Sequence, residues 1–347
     1  MTQLKDVAKY AGVSNGTVSK VLNGSPGVSQ KMKLRVLKAI QELDYQPNMV
    51  ARSLRTKTTN LVAIMVPFTN DPYFVEFFRG VSMELRNIGC VPVLYSTEPN
   101  KSLSTQEIRD MVMRGIDGLI VSTFGWEEEV LAELCEIAKR VPVVSFKRAF
   151  PGTDIHSVVV DDQAGMYQAV SYLTSIGHKR IGFIAAGLDL ETGRQRLEGY
   201  RQALLDAGIE VDENLIVACD SYQISEGYHS VQQLLKRHPL PTAIMGANDS
   251  ISIGVLKYLE SRNVRIPEDI AVMGYDDVPL STIVTPRLSS VALPVYEMTA
   301  RAVRIIEKAI KGEIEGVVNE SFSGTLVIRK STDFSATDEF EFERFSK

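Results

Sequence analysis

The chain has 347 residues, 44% of them hydrophobic and 23% charged, with 14 prolines: enough for two or three domains with cores of their own, and no match for a collagen-like or wholly disordered polymer. No run approaches the roughly 18 consecutive apolar residues of a membrane span, and the opening MTQLKDVAKYAG has no apolar stretch of a secretory signal. The net charge of −5 is unevenly spread: residues 1–60 carry ten basic against three acidic residues, a net +7, and the remainder 28 against 40, a net −12, so a polyanionic partner is expected for the head and not for the body.

In chain order, Leu4, Val7, Ala8 and Ala11 recur at helical spacing behind Thr2, a suitable N-cap, and Gly12 ends that helix. Ser14 caps a second helix with Val18, Val21 and Leu22 inward; Asn23 to Gly27 break the chain. Ser29 caps a third helix expected to bury Met32, Val36, Leu37, Ile40 and Leu43. Two short helices across a tight turn, braced by a third, is the layout of a helix-turn-helix DNA reader, whose second helix enters the major groove. With its apolar positions inward, that helix leaves Asn15, Gly16, Thr17, Ser19 and Lys20 outward. Asn15 and Lys20 have donors for base edges, Gly16 lets the backbone come close, and Thr17, Ser19, Lys5 and Lys9 suit phosphates.

Residues 4–24, LKDVAKYAGVSNGTVSKVLNG, resemble the signature of the LacI/GalR family of bacterial transcription regulators. The resemblance implies that Asn15, Gly16 and Lys20 select the operator, within a DNA-facing set of Lys5, Ser14, Asn15, Gly16, Thr17, Ser19, Lys20 and Asn23. Gly12-Val13-Ser14-Asn15-Gly16 also spells the G-x-S-x-G of a nucleophile elbow. That turn requires a buried strand before it, and the preceding segment here is an amphipathic helix, so Ser14 is read as a cap.

The segment from Tyr45 to Arg55 reads as a short helix after Pro47, capped by Asn48, too short to hold alone in water. It resembles the family's hinge helix, which implies pairing with a twin in the minor groove, with Leu54 wedged between base pairs and Asn48, Ala51, Arg52 and Arg55 beside it on DNA. Thr56 to Asn60 form a polar joint.

From residue 61 apolar runs alternate with helical stretches: strands are expected at 61–67, 91–97, 117–122, 142–146, 157–162, 180–186, 215–220, 242–248 and 269–277, and helices at 103–115, 163–176, 193–207 and 249–261. This alternation predicts an α/β body of two doubly wound parallel-sheet sub-domains with a cleft between them, behind a small all-α helix-turn-helix domain. The family body is of the type I periplasmic-binding-protein-like fold. That implies a helix-turn-helix domain at 1–47, hinge and linker at 48–60, and a body at 61–332 whose sub-domains are 61–160 with 292–320 and 161–291 with 321–332, the chain crossing near Asp161, Val291 and Glu320.

Ligands of parallel sheets sit beyond the carboxyl ends of the strands, which singles out Asn70, Asp71, Lys147, Arg148, Asp161, Asn248, Asp249, Tyr275 and Asp276; Asp249 is expected to cap the helix that follows it. Tyr73, Phe74 and Tyr222 offer aromatic faces to a sugar ring. Asn248, Asp276 and Arg196, with Thr192 beside it in TGRQRLEGY, resemble family positions that hold an effector. The expected effector set is Asp71, Tyr73, Phe74, Lys147, Asp161, Thr192, Arg196, Tyr222, Asn248 and Asp276. Sugar-binding members carry an acid after the fourth strand where this chain has Phe146-Lys147-Arg148, so a sugar acid or sugar phosphate is expected beside neutral sugars. Leu190 stands where the purine-responsive branch has an arginine, which disfavours a purine.

Tyr73–Leu85 and Thr105–Met113 are apolar on more than one side, and the family pairs subunits there, so a homodimer on a near-palindromic operator is expected. Residues 333–347 alternate acid and phenylalanine without heptads and read as a mobile tail. Cys90, Cys135 and Cys219 lie far apart without a CxxC pair and read as buried, reduced thiols of a cytoplasmic protein. No P-loop, no G-x-G-x-x-G after a strand and no H-E-x-x-H is present, and His156, His178, His229 and His238 are scattered, so neither an enzyme nor a cofactor is expected. An exported solute-binding protein would not carry the basic head. The expectation is a cytoplasmic, effector-controlled repressor; a phosphorylated carrier protein or a purine as corepressor are the alternatives.

Overall fold

The computed structural model of the chain describes residues 2–22, 25–46, 58–66, 71–96, 104–122 and 128–337. The chain forms two compact units, Met1–Thr59 and Asn60–Lys347. Asn23, Asn48, Ala51, Arg52, Leu54, Arg55 and Asn70, and most of the expected tail, lie outside the described residues.

The first unit contains α1 (Leu4–Ala11), α2 (Asn15–Leu22) and α3 (Gln30–Glu42). Val7, Ala8 and Ala11 of α1 meet Val18 and Val21 of α2 and Val36 and Ala39 of α3 in one core. Gly12 ends α1 at φ 61°, its N–H turned back to the carbonyls of Ala8 and Lys9, a left-handed turn that costs glycine least. Three local expectations change. The cap of α1 is Gln3, whose N–H donates to Asp6 Oδ2 at 2.8 Å, while the Thr2 hydroxyl donates to the carbonyl of Leu43. On α3 the inward residues are Val36 and Ala39, with Ile40 and Leu43 half-buried, and Met32 and Leu37 are exposed. The close approach of α1 explains this: small Ala39 fits against it, and the Arg35 guanidinium crosses the seam to donate to the carbonyl of Ala11.

The second unit holds two six-stranded sheets. The first is built from β1 (Leu61–Val66), β2 (Val91–Ser96), β3 (Gly118–Ser122), β4 (Val143–Phe146), β5 (His156–Val160) and β11 (Asn319–Phe322), in the order β11-β5-β4-β3-β1-β2, all parallel. The second comprises β6 (Ile181–Ala186), β7 (Ile216–Cys219), β8 (Ala243–Gly246), β9 (Ala271–Asp276), β10 (Ser289–Ala292) and β12 (Thr325–Val327), in the order β12-β10-β9-β8-β6-β7. Here only the edge pair β10–β12 runs antiparallel.

The period of two in β1 shows why the first sheet needs helices on both faces. Val62, Ile64 and Val66 bury against α4 (Pro72–Asn87) and α11 (Val295–Ile310), whereas Ala63 and Met65 bury against α5 (Thr105–Met113) and α6 (Glu128–Ala138). The second sheet is covered likewise by α7 (Asp162–Ser175) with α8 (Glu191–Asp206), and by α9 (Ile224–Leu234) with α10 (Asp249–Ser261). β2, at the edge, keeps Val91, Val93 and Leu94 exposed. The chain passes between the sheets three times, from β5 into α7, from β10 into α11, and from β11 into β12. Strands β10, β11 and β12 and helices α6, α9 and α11 were not among the segments periodicity picked out.

Two further readings are adjusted. All three cysteines are only half-buried. Of the expected tail, Asp333–Ala336 form a hydrogen-bonded turn in which the Ala336 N–H donates to the Asp333 carbonyl at 3.0 Å.

Candidate functional site

In the head, α2 presents one polar face. Asn15, Gly16 and Lys20 are exposed, Thr17 and Ser19 half-buried, and Lys5 and Lys9 on α1 are exposed. Ser14 acts at the start of α2, its Oγ accepting from the Thr17 N–H at 3.2 Å and lying 3.0 Å from the Thr17 hydroxyl. Among the described residues, Ser14 Oγ at 3.8 Å is the one neighbour of a Cβ built on Gly16, so the glycine meets no packing demand from them.

In the body, the carboxyl ends of the two sheets face each other across a cleft. Its centre is Arg196, in the second turn of α8 and only 1% exposed. Its guanidinium lies 2.8 Å from Asp162 Oδ1 and 3.3 Å from Asp276 Oδ1, donates to the carbonyl of Ala247 at 2.6 Å, and stacks 3.9 Å over the Tyr275 ring. Burial works against its charge, but Asp162 and Asp276 outweigh burial and hold it protonated. From the opposite sheet Lys147, one residue past β4, brings its Nζ within 3.6 Å of Asp276 Oδ1 and 3.6 Å of the Tyr73 ring centroid. Burial lowers the Lys147 pKa, with Asp276 opposing. Asp71 caps α4, accepting from the Tyr73 N–H at 3.0 Å. Burial, reinforced by the charge of Asp276, lifts its carboxyl from 3.8 to about 6.

Lys147 and Asp276 both stand at positive φ, 74° and 97°, a conformation that costs a non-glycine residue about 1–3 kcal/mol and persists where the surroundings dictate it. Beside them a cavity of about 290 Å³ is lined by Tyr73, Asp276, Leu293, Pro294, Ser323 and Thr325, among others, near the lower end of the roughly 300–1,000 Å³ of small-molecule sites. The Tyr73 hydroxyl is buried without a hydrogen-bond partner among the described residues, an unspent polar group beside that space.

Asp71, Tyr73, Lys147, Arg196 and Asp276 are thus brought together. Tyr222 lies close by, its hydroxyl donating to the Ala186 carbonyl at 3.1 Å, and its carbonyl accepts from Asn248 Nδ2 at 3.4 Å. Other expected residues serve the framework. Asn248, not Asp249, caps α10, accepting from the Ile251 N–H at 2.9 Å. Asp249 is fully buried among the Ser281 and Ser290 hydroxyls and the Val278 N–H, where burial and then Asp277 push its carboxyl well up. Asp161 is exposed and caps α7 through the Ala164 N–H at 2.8 Å; its neighbour Asp162 is the acid that meets Arg196. Phe74 is buried edge-on to Tyr73, 5.3 Å between centroids, as core. Thr192 is half-buried in the first turn of α8. Arg148 pairs with Glu191 at 3.5 Å and lies over the Phe150 ring. Sequence reasoning missed Asp162, although its place in the Asp161-Asp162 pair behind a strand was a signal. Leu293, Pro294, Ser323 and Thr325 carried no signal, because they come from the late crossing segments.

Residues 3–48 match the family described as bacterial regulatory proteins, lacI family, and residues 170–332 match the periplasmic binding protein-like domain. Over 313 residues the chain is 33% identical to catabolite control protein A of Priestia megaterium, covering 89% of this chain and 92% of that protein. The structure of the transcriptional regulator CelR in complex with cellobiose is similar, with a TM-score of 0.72 and 31% identity over 95% of this chain and all of that one. That of the lac repressor dimer bound to operator and the anti-inducer ONPF has a TM-score of 0.83 at 25% identity, covering 95% and 99%. Head, cleft and relatives agree: this chain is a DNA-binding transcription regulator belonging to the lacI family.

Proposed function

We propose that the chain is a homodimeric repressor of bacterial transcription, acting in the cytoplasm, whose operator affinity is set by a small neutral polyhydroxylated effector, a sugar or sugar derivative, held in the cleft. The observation that carries the effector class is the charge balance at its centre. Lys147 and Arg196 are already matched by Asp162 and Asp276, so the cations do not leave a surplus for a carboxylate or phosphate, while the Tyr73 hydroxyl, which lines the cavity without a partner among the described residues, remains to meet a neutral hydroxyl. The sugar-acid expectation built on Lys147 loses its support to that pairing.

The head would read the major groove through Asn15, Gly16 and Lys20, with Lys5, Ser14, Thr17, Ser19 and Asn23 positioning it. Asn48, Ala51, Arg52, Leu54 and Arg55 would form the minor-groove contact, Leu54 as the wedge. Val75, Met83, Val91 and Met113, exposed on the first sub-domain, support pairing of two bodies there. Effector binding would change the relation between the sub-domains and, through it, DNA affinity. Regulation rather than a chemical reaction is the role assigned. Thermal-shift measurements with neutral sugars, sugar acids and sugar phosphates test the effector class, because a ligand stabilises the state it binds. The proposal expects a neutral sugar to raise Tm; stabilisation by anions alone would reverse it.

A further inference from the structure

We propose that Lys147 is a tethered ligand of the cleft: its ammonium occupies the Asp276 carboxylate and the Tyr73 ring, ties one sub-domain to the other, and must be displaced before an effector hydroxyl reaches Asp276. The inference rests on reading the cleft as the effector site, but its first half, the tie between the sub-domains, stands or falls separately.

The two partners come from different sheets, Lys147 from the end of β4 and Asp276 from the end of β9, so their 3.6 Å contact spans the cleft. It is buried: Lys147 is 9% exposed and Asp276 7%. A lysine ammonium set on an aromatic face and a carboxylate together occupies a cation site built by the protein. The backbone is committed to the same contact. Both residues take positive φ, and the Lys147 N–H is fixed to the Val158 carbonyl at 2.8 Å, so the turn after β4 aims the side chain inward instead of continuing along the strand. Arg148 repeats the reach one residue later, pairing at the rim with Glu191 of α8 on the other sub-domain at 3.5 Å. Two consecutive basic residues of one sub-domain therefore hold two acids of the other, one inside the cleft and one at its mouth. The outer pair is solvated and weakly held; the inner one is the latch. An effector whose hydroxyls reach Asp276 competes with the ammonium, and its apparent affinity is reduced by the fraction of molecules in which the latch is closed.

The test is amide hydrogen exchange on the full-length, effector-free protein. Lys147→Met keeps the aliphatic stem on Tyr73 and removes the charge. It is expected to speed exchange in segments 71–74 and 276–278 by about tenfold or more, leaving Ile244 and Met245 of β8 at the parent rate. Lys147→Arg, which retains the charge, is expected to restore slow exchange, a rescue that a purely packing role for the stem would not give. Lys147→Gln, which also removes the charge and leaves the Arg196–Asp276 pair in place, provides the second arm should the methionine variant not fold. Parent-like exchange at 71–74 and 276–278 in the folded charge-removing variants would overturn the proposal. The failure of every sugar in the thermal screen, by contrast, would overturn the effector reading and leave the latch intact.

Discussion

Arg196 and Asp276, eighty positions apart, meet at 3.3 Å beneath the cleft, and the same guanidinium holds Asp162 at 2.8 Å. The charge of α8 is thereby fixed to the strand end that the cleft exposes and to the first helix after the crossing from the first sheet. Taking Arg196 away leaves Asp162, 1% exposed, without its cation and Asp276 with Lys147 alone. Breaking a buried pair from one side costs about 3–5 kcal/mol. Arg196→Met is therefore expected to lower the unfolding free energy by that amount in urea titrations, and Arg196→Lys by less, because an ammonium keeps the charge but cannot span Asp162, Asp276 and the Ala247 carbonyl together. A methionine variant as stable as the parent would show that the cluster does not support the fold.

Asp71 links stability to pH. Its carboxyl is near 6 in the folded chain against 3.8 ordinarily, so between these values the folded state binds a proton the unfolded state has released. Stability from this group therefore falls as pH rises from about 4 to about 6, and the whole cost, on the order of 3 kcal/mol, is present above pH 6. Asparagine keeps the capping oxygen and carries no charge. The advantage of Asp71→Asn over the parent is expected to grow by about 2 kcal/mol between pH 4.5 and 7.5 in urea unfolding; a constant difference would contradict the raised pKa.

Gly16 separates stability from recognition. It lies on the exposed face of α2, where an added Cβ would make only an ordinary contact with Ser14 Oγ at 3.8 Å among the described residues, and glycine inside a helix is about 0.5–1 kcal/mol worse than alanine. Gly16→Ala is expected to stabilise the head by up to that amount, seen as a higher melting point, while weakening binding to the chain's own operator because the added methyl stands between backbone and bases. A variant that binds its operator as well as the parent does would remove Gly16 from the contact surface.

Helices α9 and α10 touch backbone to backbone. A Cβ on Gly227 would lie 1.9 Å from the Ile251 carbonyl oxygen, and one on Gly254 2.0 Å from that of Ile224. Neither helix can yield without moving off its sheet, so Gly227→Ala is expected to cost about 3 kcal/mol, at the upper end of overpacking, measured by urea unfolding. A loss below 1 kcal/mol would mean the helices slide apart freely.

The legible parts of this protein were those where one local rule decides. Helix starts at Ser14 and Ser29, the stop at Gly12, and the strands buried on both faces followed from capping chemistry and periodicity. So did the general place of the cleft, since Lys147 and Asp276 sit at strand ends. Where long-range packing decides, the sequence was silent or misleading. Nothing local distinguishes exposed, capping Asp161 from buried Asp162, because only the fold places Arg196 beside the second. Leu37 reads as core by spacing, yet α1 packs against the Ala39 side. Strand β11 is too polar and β12, with three residues, too short to show a period, and both owe their existence to the edges they extend. The charge of Lys147 looked available for an anion until the fold supplied Asp276 as its partner.

The central claim is that this basic head and cleft-bearing body together make a sequence-selective DNA regulator. Selection of duplexes from a random library by the full-length protein at moderate salt tests it most directly. The account predicts enrichment of a near-palindromic site, with half-sites spaced for two heads, held in preference to competitor DNA and lost on Leu54→Ala. Recovery of no preferred sequence, with binding that fades uniformly as salt rises, would contradict it.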